Sequence, residues 1–238
     1  MRLIRFTVLW LILTAFLSFP NETRAADYPK ITFEYGDLYD RFCADVMKKN
    51  VEREAVEELE KRIGEFRAQW EKEAPQLLKT TVKITKAPFE FGETKAALSL
   101  CNPGSLSFPL IINVRPYLES INGERVQPLD KFVATVFHEN LHRYVNDRKA
   151  TLAGNTTPLL EKYKSEPAPV RNHLHLFAIY DEVYRRLNRQ KDLERYIEIE
   201  NTLNSAPVFK RAREIIAAEG AANVICEISR QSCRSAKR

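Results

Sequence analysis

The chain has 238 residues, and 37 lysines and arginines against 32 aspartates and glutamates give it a net charge of +5. Charges of both signs are interleaved along its length and no basic run is laced with aromatics, so nucleic acid is not an expected partner. Glycine is scarce, at 7 residues against a usual share of about 7%, and so few helix-breakers predict a helix-rich fold.

Residues 1–25 have the three-part build of an export signal. Met1 to Arg5 is a basic start, Phe6 to Phe19 is apolar, and Thr23 and Ala25 are small residues correctly placed for a cut before Ala26. The apolar run is shorter than the roughly 20 residues a spanning helix needs. Cleavage is therefore expected, with no stable membrane anchor afterwards and a secreted or periplasmic location. The leader carries three arginines against one glutamate, so residues 26–238 keep a net charge of +3 and are long enough for one domain with a real core. Cys43, Cys101, Cys226 and Cys233 all lie in that part, without a CxxC pair. In an exported chain an even count reads as two disulfides. Of the three possible pairings, Cys43 with Cys101 and Cys226 with Cys233 is preferred, and four buried thiols are the alternative.

Asp37 to about Lys79 is predicted helical in two pieces. Val56, Leu59, Ile63, Phe66 and Trp70 step by 3 and 4 to form one apolar stripe, and Pro75 is expected to interrupt the helix. The period then changes. Thr81 to Thr85 alternates as a strand does, Phe89 to Cys101 contains a second candidate, and Phe108 to Val114 is a third, between Asn102-Pro103-Gly104 and Arg115-Pro116. Beyond Leu129 the pattern is helical, over roughly 130–147, 158–165, 172–188, 191–203 and 207–218, with Thr151 to Pro158 as a mobile loop. The expected class is α+β and mostly helical: a small β-sheet, then a motif-bearing helix, then a helical C-terminal half.

Phe132 to Val145 carries the chemistry. Ala134, Phe137, Leu141 and Val145 step by 3, 4 and 4 and mark the buried face of a helix. On a neighbouring face His138 and His142, four apart, can both bind one tetrahedral Zn2+. Glu139, turned by about 100°, lies beside such a metal and can act as general base toward a water there. The chain's four histidines form two pairs, His138 with His142 and His173 with His175. The second pair opens a helix for which Asn172 is a natural N-cap, with Leu176, Ile179, Val183 and Leu187 as its buried stripe. His175 is favoured as third ligand, with His173 and Glu182 as alternatives, leaving a fourth position open. His173, Tyr180 or Tyr184 is a candidate donor to a developing oxyanion.

Through His138-Glu139 and His142, and through its strand-then-helix order, the chain resembles the zincin metallopeptidases. The resemblance implies zinc, two ligands and the base at His138, His142 and Glu139, and a peptide or protein substrate paired along the Phe108 to Val114 strand. It has limits. The metzincin extension would place a glycine where Val145 stands and a histidine where Arg148 stands. The gluzincin pattern needs an aspartate four residues after a glutamate, but Glu161, Glu166 and Glu182 are followed there by Ser165, Val170 and Arg186. The likeness to gluzincins is therefore loose. Pro109 to Ile112, Thr157 to Leu160 and His173 to Ala178 also resemble a group of exported bacterial proteins, which implies a family and no substrate. The expectation is an exported zinc-dependent hydrolase, foremost a metallopeptidase. The alternatives are a zinc hydrolase of another ester or amide, and an exported helical binding protein whose motif is structural or inactive.

Overall fold

The structure is a computed structural model that describes residues 28–48, 50–101 and 104–229. The expected export signal and Cys233, and with it the Cys226–Cys233 pairing, lie outside these residues. The elements in chain order are β1 (Lys30–Tyr35), α1 (Asp37–Met47), α2 (Arg53–Thr85), β2 (Glu93–Ser99), β3 (Ile111–Asn113), α3 (Glu119–Asn122), α4 (Leu129–Ala150), α5 (Pro158–Lys162), α6 (Ala168–Arg186), α7 (Gln190–Glu200), α8 (Ala206–Glu219) and α9 (Ala221–Glu227). The fold is α+β and mostly helical, with a parallel sheet in the order β1-β2-β3.

Two elements differ from expectation. Thr81 to Thr85 is not a strand, and Pro75 does not break the helix before it: α2 runs through both. Leu77, Leu78, Thr81 and Thr85 continue the buried face begun by Leu59, Phe66 and Trp70. The two threonine hydroxyls donate to the carbonyls of Leu77 at 3.0 Å and Thr81 at 2.8 Å, so their polar atoms are satisfied inside the helix. Packing overrides the weak helix propensity of β-branched residues here. The strand that the reading lacked is β1, where buried Ile31 and Phe33 alternate with more exposed neighbours and Phe33 pairs in register with Ala96 of β2.

The core lies between sheet, α2 and α4. Phe132 of α4 sits with its ring 4.7 Å from Phe66 of α2 and 5.5 Å from Phe33 of β1. The predicted stripe on α4, Ala134, Phe137, Leu141 and Val145, is buried throughout, which rotates His138 and His142 toward α6. Helix α1 is clamped to the end of β2 by the Cys43–Cys101 disulfide. Buried Asp40 adds to that clamp by accepting from Ser99 Oγ at 2.5 Å and from the Leu100 and Cys101 amides. Among the described residues no helix is long and apolar enough to cross a membrane.

Candidate metal centre

His138 and His142 stand one turn apart on α4, their rings 5.0 Å between centroids. The third ring against them is that of His173 from α6, 5.2 Å from His138 and 4.7 Å from His142. One nitrogen of each lies within 4.8 Å of the others, a group that could hold a metal ion. His175, the favoured third ligand from sequence, is not brought to this group. Two residues along a helix rotate a side chain by about 200°, so when His173 faces α4, His175 faces away. Its Nε2 meets Glu227 Oε2 of α9 at 3.0 Å, in a site almost closed to solvent. Glu182 is also elsewhere, paired with Arg185 and Arg186. Tyr180 and Tyr184 are wholly buried and do not line the cleft, so they are not placed to reach an oxyanion.

Helix α6 starts four residues before the expected cap, with Pro167 flanking it and Pro169 in its first turn. Asn172 is therefore interior. The early start puts a carbonyl under His173: Pro169 O lies 2.7 Å from His173 Nδ1. A carbonyl only accepts, so Nδ1 must carry the proton and Nε2 must present its lone pair. This is how a metal-binding imidazole is ordinarily held. Among the described residues the rings of His138 and His142 have no hydrogen-bond partner.

Electrostatics keep the three rings neutral. Burial drives the pKa of His138 well below its ordinary value, and nearby His142 and His173 push it the same way. Burial, then His173 and Lys149, lower His142 to about 3. Burial lowers His173 as well, against the pull of the Pro169 carbonyl. Neutral imidazole is the form that binds metal. Glu139 is buried too, which raises its pKa to about 7, while a hydrogen bond from Ser107 Oγ to its Oε2 at 2.5 Å opposes the rise. An acid–base group poised near neutral pH suits proton transfer.

A cleft of about 520 Å³ opens on the histidines, its walls including Leu106, Ser107, Leu203, Val208 and Phe209. A second hollow of about 340 Å³ lies beyond His142, lined in part by Phe108, Asn146 and Lys149. The outer edge of β3, expected to pair with substrate, is already taken. Leu106 exchanges both backbone hydrogen bonds with Ile111, at 2.8 and 2.9 Å, and the Asn113 amide donates to Ser105 Oγ at 3.1 Å.

No family model, curated protein or solved structure matches the chain. The chemistry of the residues therefore carries the functional reading. Three contributors to it lie outside the motif. Ser107 and the Pro169 carbonyl leave no local signature. Lys131, which also lines the cleft, could have been found from its spacing, seven residues before His138 and so on the same helix face.

Proposed function

We propose that this chain is an exported, zinc-dependent hydrolase that cleaves peptide bonds, with His138, His142 and His173 as ligands and Glu139 as general base. The observation that carries the reading is the placement of His173, whose Nδ1 is anchored on Pro169, leaving Nε2 with a free lone pair, and whose ring groups with the pair on α4. Three neutral imidazoles, with no fourth protein ligand grouped with them among the described residues, are the donor set of a catalytic zinc site rather than a closed structural one. Zinc bound there supplies Lewis acidity and brings water ionisation down to about pH 7.

The chain's own residues do the rest. Ser107 holds one oxygen of Glu139 and leaves the other to accept the proton of the attacking water. The carboxyl group then carries that proton to the leaving amine. Phe177 and Phe209 pack against His138 at 5.5 and 5.9 Å, which keeps the histidines in a dry, low-dielectric setting where charge interactions are strong. Two hollows that share Leu106, Ser107 and His142 in their walls suit a chain-like substrate. Because Leu106 occupies the β3 edge, the cleft walls would hold that substrate. Export is supported by the Cys43–Cys101 disulfide, a bond that persists in oxidising compartments.

The test is Glu139→Gln, measured for zinc content and for hydrolysis of a peptide panel. Zinc should stay, and turnover should fall by about 10²–10⁴-fold, the usual contribution of general-base catalysis. Unchanged turnover, or loss of zinc with the substitution, would reject the assigned role.

A further inference from the structure

The cleft does not end at the histidines. Lys131, Thr135, His138 and His142 step by 4, 3 and 4 along one face of α4, and all four line it. At its far end Lys131 is almost fully enclosed, its side chain 7% exposed. An ammonium group has three N–H donors. Among the described residues the hydrogen bond Nζ makes is a long one, 3.3 Å to Glu200 Oε1, and the Tyr196 ring lies 5.2 Å away on another side. Glu200 does not serve Lys131 alone, since its other oxygen is 3.0 Å from Arg213 Nη1. Neighbouring Asp130 is committed to Arg195 and to the Tyr196 hydroxyl. The lysine is therefore a buried cation with spare donors, facing a cavity, and its nearest carboxylate is shared with an arginine. Glu200, which also lines the cleft, is its ion-pair partner, and a buried ammonium with donors to spare gains further from a second anion that completes its shell.

We propose that Lys131 is the specificity-determining residue of this site and recognises a substrate carboxylate. The proposal rests on the zinc-hydrolase reading and adds the substrate class. Seven residues of helix separate Lys131 from His138 by about 10 Å, the span of about three extended residues. The preferred substrate accordingly carries its negative charge two to three residues from the cleaved bond. Two sources share this chemistry, the free carboxyl end of a peptide and an acidic side chain within it.

The experiment uses the zinc-loaded mature chain and calorimetric titration with peptide hydroxamates, whose hydroxamate anchors on the metal. Three probes are compared: malonyl-hydroxamates of Ala-Ala with a free carboxylate, Ala-Ala amide, and Ala-Glu amide, with acetohydroxamate as the reference. A charged probe should bind the wild-type protein at least about 10-fold more tightly than the neutral amide, the size expected of one charge-assisted hydrogen bond. A preference for the free acid assigns a chain terminus, and a preference for Ala-Glu amide assigns an acidic side chain. The advantage should vanish in Lys131→Met, with acetohydroxamate binding both proteins alike as proof that the metal site is intact. The wild-type comparison stands even if that variant does not fold. Equal binding of all three probes to wild type, or a preference that survives Lys131→Met, would overturn the proposal alone. Absence of both zinc and acetohydroxamate binding would overturn the metal reading and this proposal with it.

Discussion

The two histidines of α6 should separate cleanly when each is replaced by alanine. His175 is enclosed between α5, α6 and α9, with Glu227 Oε2 at 3.0 Å and Thr157 Oγ1 at 3.4 Å. Its removal opens a cavity and strips a partner from a carboxylate whose other oxygen still accepts from the Leu159 amide. A large-to-small core change of this kind costs about 2–5 kcal/mol, of which about 1–3 comes from the abandoned polar group. About 3 kcal/mol corresponds to a Tm lowered by roughly 6–12 °C in a chain of this size. His173 is partly exposed and makes one hydrogen bond, to Pro169 O, so His173→Ala should change metal-free stability by less than about 1 kcal/mol. Zinc should reverse the ranking. At about 100 times its Kd, zinc stabilises a protein by about 2.7 kcal/mol. Wild type and His175→Ala should both gain this, whereas His173→Ala should lose more than the 10–100-fold in affinity that removal of a supporting group costs. Urea unfolding with and without zinc, alongside competition with a chromophoric chelator, measures both quantities. If His173→Ala keeps the zinc-dependent gain while His175→Ala loses it, the geometric assignment is wrong.

Other expectations concern the frame around the site. Burial alone would raise the Glu58 carboxyl, but hydrogen bonds from the Ser120 and Glu119 amides and from Arg62 outweigh it and lower the pKa from 4.5 to about 2. A lowered folded-state value means that the stabilisation is present above pH 4.5 and is lost as pH falls through about 2. The urea midpoint of Glu58→Gln should therefore fall less steeply than that of wild type over this range, and parallel curves would reject the assignment. The Cys43–Cys101 bond closes a separation of 58 residues, so Cys43→Ser with Cys101→Ser should lower unfolding free energy by about 2–4 kcal/mol, which equilibrium denaturation would detect. Mass spectrometry of the exported protein should find an N-terminus near Ala26 and no titratable thiol; an intact Met1 or free thiols would contradict export with cleavage.

Part of this was legible in the sequence. His138, Glu139 and His142 lie within one turn and a step of a single helix, and the buried stripe through Phe137 and Leu141 fixes which way they turn. The apolar stripe of α2 was legible for the same reason, periodicity within one element. The choice between His173 and His175 was not, because it depends on which neighbour each side of α6 meets. Helix α9, which supplies Glu227 to His175, is seven residues long and too short to give a clear period. Asn172 has the chemistry of a cap, yet the helix begins at Ala168 because Pro167 and Pro169 suit a first turn. Thr81 to Thr85 alternates like a strand, but its hydroxyls bond back along the helix and its buried face continues that of α2. The expected peptide-binding edge failed for a similar reason: nothing local to Phe108 to Val114 announces that Leu106 folds back onto Ile111.

The most direct test of the proposed metal centre is X-ray absorption at the zinc edge on the purified mature protein. One zinc per chain should be surrounded by three imidazole nitrogens at about 2.0–2.1 Å and one further light atom, and His173→Ala should reduce the imidazole count or abolish the signal. A spectrum with sulfur at about 2.3 Å, an unchanged three-imidazole shell in His173→Ala, or a protein that takes up no zinc would contradict the account.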